Sequence, residues 1–439
     1  MKYLLLLTSL LFAIQGVGQT NKIEYTEYDL DNGLHVILHQ DKATPIVVVS
    51  VMYHVGSKNE KPDRTGFAHF FEHLLFEGSE NIDRGEFDKY ITNAGGANNA
   101  YTSQDKTYYY ELLPSNQLEL GLWLESERML HARVDITGVE TQREVVKEER
   151  RQRVDNQPYG TFQENAMKKA YKEHPYRWTP IGSMDHLNAA TEQDYKDFYN
   201  DFYTPNNAVL SIAGDIDIDE TRKLVEKYFS TIPIKTTDVY RPSMVEPDLS
   251  SASIDTVYDN IQLPAVITTY RIPALGTKEF YAVNMLNTLL SGGASSRLNK
   301  ALVDEQQLAL FSGGFPFELE DPGVAITFGI ANMGVDVMDL QKGIDAEIER
   351  ARTELITEKE FQKLRNQVES NFITGNARIA GIAESLANYY MYYGQTDLIN
   401  TELDRYLAVT REDIRSVAKK YYDPDARVIL HYLPKSADQ

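Results

Sequence analysis

Three residues stand out for their chemistry: His69, Glu72 and His73, in the run Gly66-Phe67-Ala68-His69-Phe70-Phe71-Glu72-His73-Leu74-Leu75-Phe76. On a helix, side chains four positions apart lie one turn apart on the same face. Two imidazoles so placed can share one zinc ion, whose nitrogen and oxygen ligands sit at about 2.0–2.2 Å. Glu72 borders that face, where a carboxylate can polarise an attacking water and carry its proton. The order H-x-x-E-H inverts the better-known H-E-x-x-H. Histidine pairs at this spacing also occur as packed or surface residues. Here the surrounding stretch is apolar, and an imidazole without a partner would pay a desolvation cost there. The metal reading is therefore favoured.

The elements that must hold these groups follow from local pattern. The histidine segment is expected to be a helix, with Asp63 or Thr65 as its N-cap and Gly78 just past its end. Before it, Asp31-Asn32-Gly33 separates two extended runs between Thr26 and His39, a hairpin signal. Pro45 to Tyr53 is β-branched and nearly all apolar, as in a buried strand. After it come a helix over Phe87–Thr92, a Gly95-Gly96 turn, strand-like runs over Ala97–Ser103 and Thr107–Leu112, and helices over Leu118–Ala132 and Val139–Val154. The Tyr-x-Pro-[Asn/Asp] pattern at Tyr203 recurs at Tyr422, each time after an amphipathic helix and before a strand. That is an internal repeat of domain size. The expected fold class is α+β, with two homologous domains, each a mainly antiparallel sheet with helices packed on one face. The expected boundaries are 22–231 for the first domain, a proline-bearing linker over 232–252, and 253–435 for the second.

The 439 residues are 42% hydrophobic and 25% charged, ample for two cores. A net charge of −21 argues against a nucleic-acid partner. Met1-Lys2, the apolar run Tyr3–Ile14 and small residues Gly16 and Gly18 read as a signal peptide, residues 1–18, cut before Gln19. No apolar run is long enough to span a bilayer. The expected location is therefore outside the cytoplasm, periplasmic or extracellular. There is no cysteine, so any metal must be held by histidine and carboxylate. In the second half, Ser291-Gly292-Gly293-Ala294-Ser295-Ser296 lacks the Lys-Ser/Thr of a phosphate loop and reads as a turn between helices. That half has no H-x-x-E-H.

A zinc site with chemistry to do usually has three protein ligands. Glu140, Glu144, Glu148 and Glu149 are candidates for the third. On the helix they share, Val139, Gln142, Val145, Val146 and Glu149 form one stripe, while Thr141, Glu144, Glu148 and Arg151 form a polar one. The stripe favours Glu149, but a wholly solvated charged helix would read the same way.

The segments VGSKNEKPDRTGFAHFFEHLLFEGS, GGANNAYTSQDKTYYY and QREVVKEER resemble the pitrilysin/insulinase family of zinc metallopeptidases, in its small two-domain bacterial type. Mitochondrial processing peptidase lies in the same branch. The resemblance runs from about Lys22 to Leu433 and implies an exported zinc endopeptidase with one zinc per chain, acting on unfolded peptides inside a closed chamber. It implies His69, His73 and Glu149 as ligands, since 75 residues separate His73 from Glu149 as in the family. Glu72 is the implied catalytic base. Asn99, Ala100, Tyr101 and Thr102 are implied to bind substrate by β-augmentation. Two positions depart from the family. Gln142 stands where a supporting glutamate is usual. Val303 and Leu310 stand where an arginine and a tyrosine usually bind substrate and steady the oxyanion. These departures imply a heterodimer with a paralogue that supplies the Arg/Tyr pair. A non-catalytic scaffold or a peptide-binding subunit of the same fold is the alternative.

Overall fold

The computed structural model describes residues 22–435, so the signal-peptide segment lies outside the described residues. Eleven strands form two sheets. β1 (Thr26–Asp29), β2 (His35–Gln40), β3 (Ile46–Tyr53), β4 (Ala97–Thr102), β5 (Thr107–Pro114) and β6 (Ala208–Gly214) build the first, in the order β1-β2-β6-β3-β5-β4. β7 (Ser253–Asp259), β8 (Ala265–Arg271), β9 (Ala309–Phe317), β10 (Val324–Ala331) and β11 (Arg427–Pro434) build the second, in the order β7-β11-β8-β10-β9.

From β2 onward the two plans match strand for strand. β6 pairs parallel to β2 and antiparallel to β3, and β11 pairs parallel to β7 and antiparallel to β8. The Tyr-x-Pro repeats feed these two matching strands. All other pairs are antiparallel, as expected of the α+β class. β4 and β9 are the matching edges, each with one side unpaired.

Each sheet packs its own half's helices on one face. Val47, Val49 and Val51 of β3 join Phe67, Phe70, Phe71 and Leu122 in the first core. Val266, Tyr270 and Ile429 join Leu286, Ile344 and Val417 in the second. The other faces are covered by exchange. The helix Phe162–Ala170, from the first half, lays Ala166, Met167 and Ala170 on Ile267, Ile326 and Leu430. The helix Ile379–Tyr393, from the second half, lays Ile382, Leu386 and Ala387 on Ile37, Met52 and Val209. Each central strand is thus buried on both sides, which is why β3 and β6 read as nearly unbroken apolar runs, each with a single serine, Ser50 and Ser211.

Candidate metal and peptide site

The histidine helix spans Phe67–Leu74. Its apolar side decides its seat. Phe67 and Phe70 stack on Tyr195 with ring centroids 4.6 and 4.3 Å apart, and Phe71 stacks on Phe198 at 5.5 Å. From the sheet, the Tyr109 hydroxyl donates to the Phe71 carbonyl at 3.0 Å. Below the last turn lies Arg128, fully buried, paired with Glu125 and 3.5 Å from Glu111. Its guanidinium stacks among the rings of Phe76, Phe87 and Tyr109 at 4.3–4.7 Å and donates to the Leu75 carbonyl.

The helix start differs from expectation. Neither Asp63 nor Thr65 caps it. The N-cap is Gly66, at φ +96, and a side chain there would press on Ile181 and Gly182. Glu60 does the capping from a distance: its carboxylate accepts from Gly66 N at 3.0 Å and Ala68 N at 2.9 Å. Burial raises the Glu60 carboxyl, and these backbone donors pull against that rise. Thr65 Oγ1 instead pairs with His186 Nδ1 at 2.7 Å.

The helix carrying Glu149 runs from Ile136 to Arg150 and then widens into a looser turn over Arg151–Asp155. It therefore begins and ends earlier than Val139–Val154. Asp135 caps it, accepting from Gly138 N at 2.8 Å. Val139 and Val146 are buried and Glu149 lies beyond them on the same side, but Val145 is 43% exposed. At 100° per residue, position 145 falls off the edge of the stripe that 139, 142, 146 and 149 define.

Among the described residues, one cluster of metal-competent side chains forms, and it is His69, His73 and Glu149, with donor atoms all within 4.8 Å of one another. Glu149 Oε2 stands 3.5 Å from His69 Nε2 and 3.1 Å from His73 Nε2. A tetrahedral ion with bonds of about 2.1 Å needs ligand atoms about 3.4 Å apart, so the donor set fits zinc. Arg153 takes the other carboxylate oxygen, Oε1, at 2.6 Å and so turns Oε2 toward the imidazoles. Burial and the neighbouring His73 hold His69 down to about 4, which keeps it in the neutral form a metal needs. The His73 hydrogen bond, with the nearby charge of Arg153, lowers Glu149 against its own burial.

Glu72 is held beside this cluster. Thr102 Oγ1 donates to its Oε2 at 2.7 Å. Burial raises the Glu72 carboxyl, with the Thr102 bond opposing. Glu72, His73, Asn99 and Ala100 line one cleft of about 250 Å³ between the histidine helix and β4. Tyr101 faces the other way, and its hydroxyl donates to Glu384 at 2.6 Å. Gln142 does not reach Glu149. Its amide donates to Glu77 Oε1 at 2.6 Å, a buried carboxylate also paired with Arg84. Val303 lies half-buried in the wide turn Asn299–Glu305, and Leu310 is 60% exposed on β9.

Sequence reasoning missed Glu60, Arg128 and Arg153. A capping carboxylate six residues upstream of the N-cap has no local signature. Arg128 looked like one charge among several in Glu125-Ser126-Glu127-Arg128. Arg153 sits one turn past Glu149, a spacing that the sequence does carry.

The fold recurs in known proteins. Residues 35–181 match the family described as Insulinase (Peptidase family M16), and residues 189–368 match the Peptidase M16 inactive domain. The chain is 33% identical over 429 residues to a protein named Zinc protease PqqE of Helicobacter pylori, covering 96% of each. The crystal structure of a protease from Helicobacter pylori superposes with a TM-score of 0.90 at 31% identity, over 94% of this chain and 100% of that one. The periplasmic protease PqqL from Escherichia coli shares the fold, with a TM-score of 0.76 at 19% identity, over 93% of this chain and 47% of that one. The chain belongs to the insulinase, or M16, peptidase family, in its small two-domain form. No helix among the described residues is long and apolar enough to cross a membrane.

Proposed function

We propose that this chain is the zinc-binding subunit of an exported endopeptidase that hydrolyses unfolded peptides. The observation that carries this reading is the convergence of His69, His73 and Glu149 beside a hydrogen-bonded Glu72. These three residues would hold zinc, which when bound supplies Lewis acidity toward the scissile carbonyl. The chain's own groups do the rest. Glu72, fixed by Thr102, takes the proton of the attacking water and returns it to the departing amine. The unpaired side of β4 accepts the substrate main chain, which places a peptide bond in the cleft that Asn99 and Ala100 share with Glu72 and His73. Export rests on the apolar run at the N-terminus.

Val303 and Leu310 have no side-chain donor for an oxyanion, and a homodimer would repeat that gap. The partner is therefore a paralogue that supplies arginine and tyrosine in trans, closing a chamber with this chain. One lost oxyanion donor costs about 2.7–4 kcal/mol, so the isolated chain should bind one zinc yet cleave unstructured peptides about 100- to 1,000-fold more slowly than the pair. Metal analysis and peptide turnover, with and without the co-expressed paralogue, test this. Vigorous cleavage by the chain alone would remove the need for a partner. Full zinc occupancy with no cleavage under any pairing would favour a peptide-binding scaffold, the reading that Gln142, Val303 and Leu310 support.

A further inference from the structure

A second and larger cavity begins where β4 ends. Its volume is about 680 Å³, within the range of about 300–1,000 Å³ usual for ligand pockets. One wall is the first domain's Thr102–Lys106 turn. The other is second-domain material: the end of β9 with Glu318, the helix Ile379–Tyr393, and the helix Leu398–Leu407 with Glu402. Thr102 belongs to both places, since it lines this cavity and donates to Glu72. A peptide paired along β4 and continuing past Thr102 runs into the cavity mouth.

The lining has a definite chemistry. Glu318 and Glu402 face the space together with the rings of Tyr389, Tyr393 and Tyr406. Asn284 donates to Glu318 and the Tyr389 hydroxyl donates to Glu402. Among the described residues neither carboxylate has a cation within ion-pairing distance; burial raises the Glu402 carboxyl, opposed in part by the Tyr389 bond and by nearby Arg405. Arg405 itself donates to the Tyr281 hydroxyl at 3.1 Å. Lys106, the cation on the opposite wall, is engaged elsewhere. It donates to Asn388 and lies over the rings of Tyr101 and Tyr392 at 5.2 and 5.7 Å. Desolvation within the cavity, and then the charge of Glu402, push the Glu318 carboxyl up, although the residue keeps solvent contact at the open side of the cavity. An anion would be repelled here. An apolar side chain would strip water from two carboxylates and return nothing. A guanidinium or ammonium would gain charge-assisted hydrogen bonds and the faces of three tyrosines.

We propose that this cavity is a specificity pocket for one basic side chain of the substrate, arginine or lysine, with Glu318 and Glu402 receiving its charge. The proposal rests on the peptidase reading above for the direction from which the ligand arrives, but its test does not depend on hydrolysis. The full chain carrying Glu72→Gln would be titrated, by fluorescence anisotropy, into an unstructured labelled peptide with one arginine and into the same peptide with citrulline in its place. The arginine peptide should bind at least about tenfold more tightly. The near-isosteric pair Glu318→Gln with Glu402→Gln should erase that ratio, and Glu318→Gln alone should reduce it. Each variant's thermal melt checks that it is folded. Equal binding of the two peptides, binding of neither, or a ratio unmoved in the double variant overturns the pocket. The two readings fail separately. A wild-type chain that never cleaves leaves an arginine preference standing, and a missing preference leaves cleavage standing.

Discussion

In the first domain the strand series β2-β6-β3-β5-β4 ends at an edge beside Glu72 and His73. In the second, the series β7-β11-β8-β10-β9 ends at an edge carrying Leu310 and Phe311, 60% and 54% exposed. The helix that follows the third strand of each series shows what separates them. After β3 it is an eight-residue helix with two histidines and a glutamate. After β8 it is a fourteen-residue helix, Lys278–Ser291, whose buried side is Phe280, Tyr281, Val283, Leu286 and Leu290. One sheet plan thus serves packing in one place and a metal-competent cluster in the other. The added cost in the first domain is visible as buried ionisable groups: Glu60 at the head of the histidine helix, its carboxyl pushed up by burial, and Arg128 beneath its tail. A short helix with imidazoles on one face cannot be held by apolar packing alone, so the backbone groups at both ends are tied down.

If that contrast is right, removing the chemistry should leave the scaffold intact. Glu72→Gln should lower peptide turnover by about 10²- to 10⁴-fold while zinc content stays near one per chain. Glu149→Gln should lose most of the zinc, measured by metal analysis after dialysis. Unchanged zinc there would hand the third ligand to Glu140 or Glu148.

Removing the support should do the reverse. Arg128→Met leaves Glu111 and Glu125 buried without their cation, and breaking such a set costs about 3–5 kcal/mol. Urea melts should show that loss, whereas Arg427→Met in the second domain, whose partner Asp345 is half-exposed, should cost less. Equal losses would mean that buried charge is not a special burden of the first domain.

A smaller effect is expected at the helix head. Glu60→Ala removes the acceptor for two backbone amides, worth about 0.5–2 kcal/mol by analogy with N-cap losses. Zinc affinity should weaken along with stability, because the helix end that carries His69 is freed.

The edge itself can be tested by Ala100→Pro, which takes a backbone donor from β4. Turnover should fall with zinc unchanged.

The smallest expected effect concerns the join between the halves. Lys58 pairs with Asp105 at 3.0 Å and with Glu320, which His54 also meets at 2.9 Å. Burial opposes ionisation of Glu320, but His54 and Lys58 overcome it and bring its carboxyl from 4.5 to about 2. A carboxyl lowered on folding stabilises above its unfolded value and loses that contribution as pH falls through its folded one. Stability should therefore decline from about pH 4.5 toward pH 2, and Glu320→Gln should flatten that part of the curve.

Much of the architecture was legible because it is written locally. The hairpin at Asp31-Asn32-Gly33 is β1 and β2, paired from Thr26 with Leu38 to Asp29 with His35. The Tyr-x-Pro repeat marked the two matching strands. The helical stripe favoured Glu149 among four glutamates and the family spacing selected it, and the structure sets it against both histidines. What was not legible depends on distant segments meeting. No local pattern says that Ile382 and Leu386 will cover Ile37 and Met52, since an apolar stripe does not name its partner. Glu318, Glu402 and Thr102 lie in three separate stretches, so their shared cavity has no motif. Gln142 sits on the same stripe as Glu149, but only the fold reveals Glu77 as its partner.

The exchange of helices between the halves has a consequence in time. A chain emerging from the ribosome, or from a translocation pore, completes the first sheet at Gly214, long before the helix Ile379–Tyr393 is made. Until then Ile37, Met52 and Val209 form a bare apolar face. The nascent first domain thus leaves that face uncovered until the second half arrives, and a chain truncated before Ile379 should bind hydrophobic dyes and yield readily to protease.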